Sequence, residues 1–222
     1  MSRHPWDRRI QRAEELAAAW PHAAEILRFY IELARFQKTI YDAHPSEETL
    51  AGYLPALLSL VRRAAPPAAA NAERDVFDRW LLQPLREYQA SHADRAPAAI
   101  QPIEPTCPFC HSKPVAGILR GEGDGAKRSL LCSLCSTEWE YRRVVCPNCG
   151  EEDKEKLPIY HAPEIDHVRI DACDTCRTYI KSIDLTKNGL AVPVVDELAT
   201  ITLTLWAEDH NYTKLQPNLL GT

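Results

Sequence analysis

Eight cysteines, arranged as four Cys-x-x-Cys pairs, constrain this chain more than any other feature of its sequence. All eight lie between Cys107 and Cys176 in a chain of 222 residues. In each half of this region, 21 or 23 residues separate one pair from the next, and ten residues separate the two halves. The sequence therefore predicts two copies of one small module, each closed by two Cys-x-x-Cys turns.

Metal binding is the chemistry that this spacing indicates. A Cys-x-x-Cys turn aims both sulfurs at one point, and two such turns at the end of a hairpin complete a tetrahedral four-sulfur site. The N-terminus is amphipathic and of mixed charge, unlike a secretory signal, so disulfides are not expected. We predict two ligand sets, Cys107, Cys110, Cys132 and Cys135 in one and Cys146, Cys149, Cys173 and Cys176 in the other. Cross-pairing of the two middle turns is the less favoured alternative.

The expected cofactors are two metal ions, zinc or iron, because thiolates suit both. The turn from Cys146 to Gly150, Cys-Pro-Asn-Cys-Gly, has the form typical of rubredoxin, which zinc ribbons also use. Closed four-cysteine sites are usually structural, and this is the simplest interpretation of both sets. A redox-active dithiol is disfavoured because no helical pattern follows the pairs, as it does in thioredoxin-like proteins.

The residues before the cysteines predict helices, and those among them predict strands. Apolar residues recur at helical spacing over 21–44, 55–65 and 72–91, and Pro84 is expected to kink or split the last of these. Three prolines mark residues 96–105 as a linker. Alternating patterns predict strands at 114–119, 128–132, 137–144, 168–173 and 178–185, with a hairpin turn at 121–125.

These patterns predict an α+β fold with five parts. They are a helical bundle at 1–95, the linker at 96–105, two rubredoxin-like or zinc-ribbon modules at 106–144 and 145–186, and a C-terminal helix and tail at 187–222. We expect Asp196 to cap a helix over 197–210. One face of that helix carries the side chains expected to be buried: Leu198, Ile201, Leu205 and Trp206.

Charge and hydropathy exclude two classes of partner. The formal net charge is −5, and residues 106–185 contain 11 basic and 13 acidic side chains, whereas phosphate binding depends on positive charge. Nucleic acid is therefore not an expected partner. No uncharged run approaches the roughly 18 residues that cross a membrane, so we expect no membrane insertion and a cytoplasmic location.

Five side chains are candidates for a protein-binding surface, namely His161, Asp166, His167, Trp206 and Tyr212. The uncharged segment 216–220 extends this candidate surface, since interface cores are depleted of charge and favour aromatic anchors. The alternatives are a solvated polar patch and a last helix that packs on its own chain. No Ser-His-Asp set, phosphate loop or catalytic carboxylate pair stands out, so we do not expect an enzyme.

The combined motifs resemble the formate dehydrogenase accessory protein family. The cysteine turns read Cys-Pro-Phe-Cys at 107–110, Cys-Ser-Leu-Cys at 132–135 before Ser-Thr-Glu-Trp, Cys-Pro-Asn-Cys at 146–149 and Cys-Asp-Thr-Cys at 173–176. Asp-Glu-Leu-Ala at 196–199, His-Asn-Tyr at 210–212 and Pro-Asn-Leu at 217–219 fit as well. The resemblance covers roughly residues 105–220, and its eight family ligand cysteines fall on the eight named above.

The resemblance implies a helical domain followed by two rubredoxin-like ribbons. It also implies a non-catalytic maturation factor that binds the catalytic subunit of a molybdenum- or tungsten-dependent formate dehydrogenase in the cytoplasm. Two alternatives fit the same cysteines: a redox or metal-donating enzyme acting on that subunit, and a zinc-ribbon module for nucleic acid. The acidic balance disfavours the second, and the lack of a spare cysteine disfavours thiol chemistry.

Overall fold

The computed structural model describes residues 4–66, 74–93, 104–123 and 125–221, with the backbone alone at 74–76. The helices are α1 (Pro5–Ala19), α2 (Ala24–Asp42), α3 (Glu47–Leu50), α4 (Leu54–Ala64), α5 (Arg74–His92), α6 (Pro193–Ala199) and α7 (Ile201–Asp209). The strands are β1 (Pro114–Glu122), β2 (Gly125–Cys132), β3 (Glu138–Glu140), β4 (Ile159–Ala162), β5 (Ile165–Cys173), β6 (Thr178–Asp184) and β7 (Thr213–Lys214). The predicted α+β class is confirmed.

Helix α2 forms the centre of the helical part. Its apolar residues are buried on two faces, against α1 on one side and α5 on the other, because the sequence places apolar side chains on both. Most of the predicted linker, residues 96–103, lies outside the described residues. Within the described residues, none of the helices is both long and apolar enough to cross a membrane.

Pro84 lies inside α5 without splitting it. A proline leaves the carbonyl four residues before it without its helical hydrogen bond, which here is the carbonyl of Trp80. The side chain of Gln37, fully buried on α2, donates to that oxygen at 2.9 Å. The neighbouring helix thus supplies the hydrogen bond that the proline removes, and α5 continues to His92.

The two cysteine modules share one sheet, with strand order β3-β2-β1-β6-β5-β4 and β7 beside β6. Strands β1 and β2 form the predicted antiparallel hairpin, and β5 and β6 form a second one. Strands β1 and β6 pair in parallel and join the two hairpins. Since β1 and β6 both begin next to a cysteine turn, all four turns lie at the same end of the sheet.

The strand predictions differ from the structure in two respects. The strand expected over 137–144 extends only from Glu138 to Glu140, because the chain then turns toward the third cysteine pair. Strands β4 and β7 have no counterpart in the predictions. They contain four and two residues, so neither is long enough to show an alternating pattern.

The single C-terminal helix expected from 197 to 210 was wrong, because the chain forms α6 and α7 with a break at Thr200. Asp196 lies inside α6 rather than before it, and its carboxylate accepts from the backbone N–H of Val192 at 2.7 Å. The ammonium group of Lys181 donates to the carbonyl oxygens of Glu197 and Thr200 at 2.5 and 3.3 Å. The buried lysine therefore occupies carbonyl oxygens that would accept from backbone N–H groups in a continuous helix.

The break rotates α7 and changes which of its side chains are buried. Leu205, expected in the buried stripe, is 55% exposed, while Thr204 is buried. The tail segment 216–220, expected to extend the partner-binding surface, is buried at Asn218, Leu219 and Leu220. Leu219 and Leu220 pack into the helical core, and the indole N–H of Trp80 donates to the carbonyl of Leu219 at 2.5 Å. The tail connects the sheet region to the helical bundle.

Candidate metal centres

The eight cysteines come together as two sets of four, in the same grouping that the sequence predicts. In the first set, three sulfur pairs lie 3.3–3.5 Å apart, and in the second, two lie 3.7 Å apart. A tetrahedral site with metal–sulfur bonds of ~2.3 Å has sulfur–sulfur edges of about 3.8 Å. None of the eight forms a disulfide. Each set therefore fits one tetrahedral metal ion, and either zinc or iron suits the four sulfurs.

All four cysteine turns have the same backbone form, although only one contains glycine. The residue after the second cysteine of each pair adopts a positive φ, between 53° and 77°, and these residues are His111, Ser136, Gly150 and Arg177. In the first three turns, the backbone N–H of the residue before the second cysteine donates to the sulfur of the first cysteine at 3.4 Å, and these donors are Phe109, Leu134 and Asn148. Three of the turns thus accept a strained conformation in order to close around the sulfurs.

Hydroxyl groups lie beside the sulfurs in three of the four turns. Thr178 Oγ1 is 2.9 Å from the sulfur of Cys176, and Thr137 and Ser112 occupy the same position in their turns. Burial raises the pKa of Cys176, but hydrogen bonds from Thr178 and Asn148 outweigh it and lower that pKa to about 6. The site therefore already favours one thiolate at neutral pH, and metal entry displaces fewer protons.

The two centres differ in burial and in attachment. Three cysteines of the first centre are buried in a cluster that includes Ala90 of α5, whereas Cys149 of the second centre is exposed. Ser136, in a turn of the first centre, donates to the carboxylate of Glu87 at 2.8 Å. Arg9 of α1 contacts both groups at 2.9 and 3.1 Å. The first centre is thus bonded directly to the helical bundle.

Replacing Gly150 with alanine should destabilise the protein by about 1 kcal/mol, because an alanine at this positive φ is strained. A Cβ there would meet nothing within 4 Å, so the backbone alone sets the cost. Gly52→Ala is the matched control, since its Cβ also meets open space while its φ is not in the positive range. Urea denaturation of both variants should show a loss only for Gly150→Ala. Equal midpoints would mean that the turn tolerates side chains freely.

The five candidate partner-binding residues do not form one surface. His161 is exposed on β4 and Trp206 is half-buried on α7, and both line a cavity of about 700 Å³. Asp166 is exposed, but the neighbouring His167 is buried and lies 2.9 Å from the carboxylate of Asp196. Tyr212 is also buried, with Arg177 3.9 Å above its ring.

Trp20 and His22 also line this cavity and were not among the candidate residues predicted from the sequence. They lie where α1 ends and a short 3-10 turn begins at Pro21, and their rings stack at 5.8 Å. An aromatic residue beside a helix-breaking proline was the available signal. We name the cavity lined by Trp20, His22, Tyr160, His161, Thr202 and Trp206 the aromatic groove.

Comparison with known proteins identifies the family to which this chain belongs. The family model described as "FdhE, central domain" matches residues 106–143, and "FdhE, C-terminal domain" matches residues 144–220. An FdhE homolog from Edwardsiella ictaluri is 30% identical over 213 residues, which cover 93% of this chain and 68% of that protein. The chain belongs to the FdhE family. The two FdhE models meet between the cysteine sets, so each set lies within one of them.

Other FdhE relatives match a shorter part of the chain. The homolog from Aquifex aeolicus is 41% identical over 116 residues, covering 52% of this chain and 41% of that protein. The chain therefore spans about two fifths of the length of that relative. The crystal structure of FdhE from Pseudomonas aeruginosa has a TM-score of 0.76 and 24% identity, and covers 100% of this chain and 97% of that one. This likeness shows that the two proteins share a fold.

Proposed function

We propose that the protein is a non-catalytic accessory factor that binds the catalytic subunit of a molybdenum- or tungsten-dependent formate dehydrogenase in the cytoplasm. Membership of the FdhE family across both cysteine modules is the observation that carries this proposal. The eight cysteines support a binding role, because all of them lie in closed sets of four that suit structural metal ions. In this proposal the metals hold the ribbons in shape.

The aromatic groove is the proposed contact surface for the catalytic subunit. It lies where the helical bundle, β4 and α7 meet, and the rings of Tyr160 and Trp206 approach to 4.6 Å along it. Aromatic side chains bring large apolar area at low entropy cost, which suits them to interfaces. Strand β4 also ends the sheet order, so an extended segment of a partner could pair with it. The groove thus offers both apolar and backbone contacts.

The experiment is co-purification with a tagged formate dehydrogenase catalytic subunit. Thr202→Arg places a long charged side chain at an exposed position that lines the groove. We expect this change to weaken capture at least tenfold, a typical effect of disrupting an interface core. The matched control is Thr39→Arg, at an exposed helical threonine on α2. If both variants are captured equally, the groove is not the contact surface. Capture of the parent protein by the subunit then tests the binding role separately.

The exposure of Cys149 keeps metal donation as a second candidate function, because a partner could reach this sulfur. A metal donor would activate an excess of the catalytic subunit as its metal is renewed, whereas a binding factor acts in fixed proportion. Titrating the protein against inactive catalytic subunit, with metal supplied, separates the two functions.

A further inference from the structure

A row of polar and small residues crosses one face of the sheet. Arg128 on β2, Gly117 on β1, Ser182 on β6 and both Arg169 and Asp171 on β5 share this face, as the strand registers require. A Cβ at position 117 would lie 2.2 Å from the hydroxyl oxygen of Ser182. Because residue 117 is glycine, that hydroxyl can donate to Asp171 at 2.6 Å. The hydrogen bond between Ser182 and Asp171 therefore requires glycine at position 117.

Arg128 is almost completely buried in this row, at 3% exposure, but only part of its guanidinium group is paired. Its Nη1 donates to the carbonyl oxygen of Val145 at 3.2 Å. Its Nε and Nη2 donate no hydrogen bond, and Nη2 lies 3.6 Å from Asp171. Arg169 lies 2.8 Å from the other oxygen of the same carboxylate. Two guanidinium groups thus share one carboxylate, which leaves one positive charge in excess.

These groups form the polar side of a cavity of about 190 Å³. Its remaining wall is largely apolar and includes Val145, Leu157, Ile180 and Leu215. For scale, an apolar cavity of ~150 Å³ engineered in another protein binds benzene. The exposed side chains of Arg143 and Lys154 stand at the rim and add positive charge at the entrance.

We propose that this cavity binds a monocarboxylate that carries an apolar group of about four to six carbons, a size set by the cavity volume. Arg169, whose side chain is 12% exposed and uses only Nε for Asp171, donates to the ligand carboxylate through its Nη atoms, while the more deeply buried Arg128 adds positive charge behind it. A single negative charge balances the one excess positive charge, and the apolar wall covers the rest of the ligand. Both a free acid and the C-terminal residue of a peptide present this chemistry.

The second cysteine set offers a competing account of the same arginines. Cys146 and Cys173 also line the cavity, and four thiolates around a divalent ion carry a net charge of −2. If the arginines served only to balance that charge, their loss would release metal and the cavity would bind no carboxylate. The test therefore measures ligand binding and metal content on the same samples.

Calorimetric titration of the full chain, purified without chelator, tests the proposal with a matched set of ligands. Benzoate or 3-methylbutanoate should bind once per chain. Benzamide, which lacks the charge, and acetate, which lacks the apolar group, should bind at least tenfold more weakly, as expected when a charge-assisted hydrogen bond or apolar burial is lost. A short peptide ending in leucine, as its free acid and as its amide, distinguishes a chain terminus from a free acid as the source.

Two neighbouring arginines give matched variants. Arg143 lines the cavity, whereas Arg142 is paired with Glu152 at 2.8 Å and lies outside it. Arg143→Gln should weaken benzoate binding several-fold, and Arg142→Gln should leave it unchanged. Arg169→Gln should weaken binding more than tenfold, since it removes a buried charge beside the carboxylate site. Metal content and unfolding midpoints show whether each variant is folded.

Three results would overturn the proposal. The first is no carboxylate binding to the folded parent protein at millimolar concentration. The second is equal affinity for benzoate, benzamide and inorganic phosphate. The third is an equal effect of the two glutamine substitutions at positions 142 and 143. Metal loss from Arg169→Gln, in a protein that binds no carboxylate, would instead assign the arginines to the second cysteine set.

Discussion

Glu197→Gln is expected to destabilise the protein by about 3–5 kcal/mol, the usual cost of removing one partner of a buried ion pair. Glu197 is 1% exposed and lies 2.8 Å from the ammonium group of Lys181, which is fully buried. Lys214 contacts the same carboxylate. Glutamine keeps the shape but removes the negative charge beside the fully buried ammonium group of Lys181. These contacts hold α6 against the sheet, so the packing of α6 on the sheet should loosen when the charge is removed.

Urea denaturation measures this loss, and Glu208→Gln is the control, since Glu208 is an exposed carboxylate on α7. Burial alone would raise the pKa of Glu197, but the charges of Lys181 and Lys214 outweigh it and lower that pKa. Its stabilising effect is therefore present above the unfolded value of about 4.3 and is lost as the pH falls through the folded value. The parent protein should lose stability in acid, and Glu197→Gln should show less of this loss. Equal stability of both variants at pH 7 would contradict this account.

Cys107→Ser is expected to unfold much of the chain, whereas Cys149→Ser should open only the second module. Apparent binding free energies of structural zinc reach about 10–16 kcal/mol, comparable to the whole stability of a domain. Cys107 is fully buried, and its centre is bonded to the helical bundle through Ser136 and Glu87. Cys149 is exposed. Loss of the first centre should therefore also loosen α1 and α5.

Metal analysis and limited proteolysis measure this difference. Both variants should lose one of two metal ions per chain, so that they differ in structure and not in metal count. Cleavage in the helical bundle should increase for Cys107→Ser and stay near the parent level for Cys149→Ser. The account of the two centres is wrong if the two variants show the same cleavage pattern.

The cysteine grouping could be predicted from sequence because local spacing largely determines it. Each hairpin brings its two Cys-x-x-Cys turns together, as in the pairing of Pro114 with Cys132. The common form of the turns was harder to predict. Only Gly150 signals a positive φ, and His111, Ser136 and Arg177 adopt it without glycine. Since closure around the sulfurs requires that form, the surrounding structure overrides the residue preference.

Contacts between distant parts of the chain could not be predicted from sequence patterns. Helical spacing favours a continuous C-terminal helix, but the ammonium group of Lys181 takes the carbonyl oxygens of Glu197 and Thr200. The aromatic groove likewise joins Trp20, before the linker, to Trp206, near the end of the described chain. The proline after Trp20 marks the end of a helix, but neither this tryptophan nor a lysine in a strand indicates which distant residues it will contact, because those contacts exist only in the folded protein.

The most direct test of the proposed function is native mass spectrometry of the complex captured with the formate dehydrogenase catalytic subunit. It reports the proportion of the two proteins and the metal ions on each chain in one spectrum. The account predicts a complex of fixed proportion in which every copy of this protein carries two metal ions. A folded, two-metal protein that forms no complex with the subunit would contradict the proposed function.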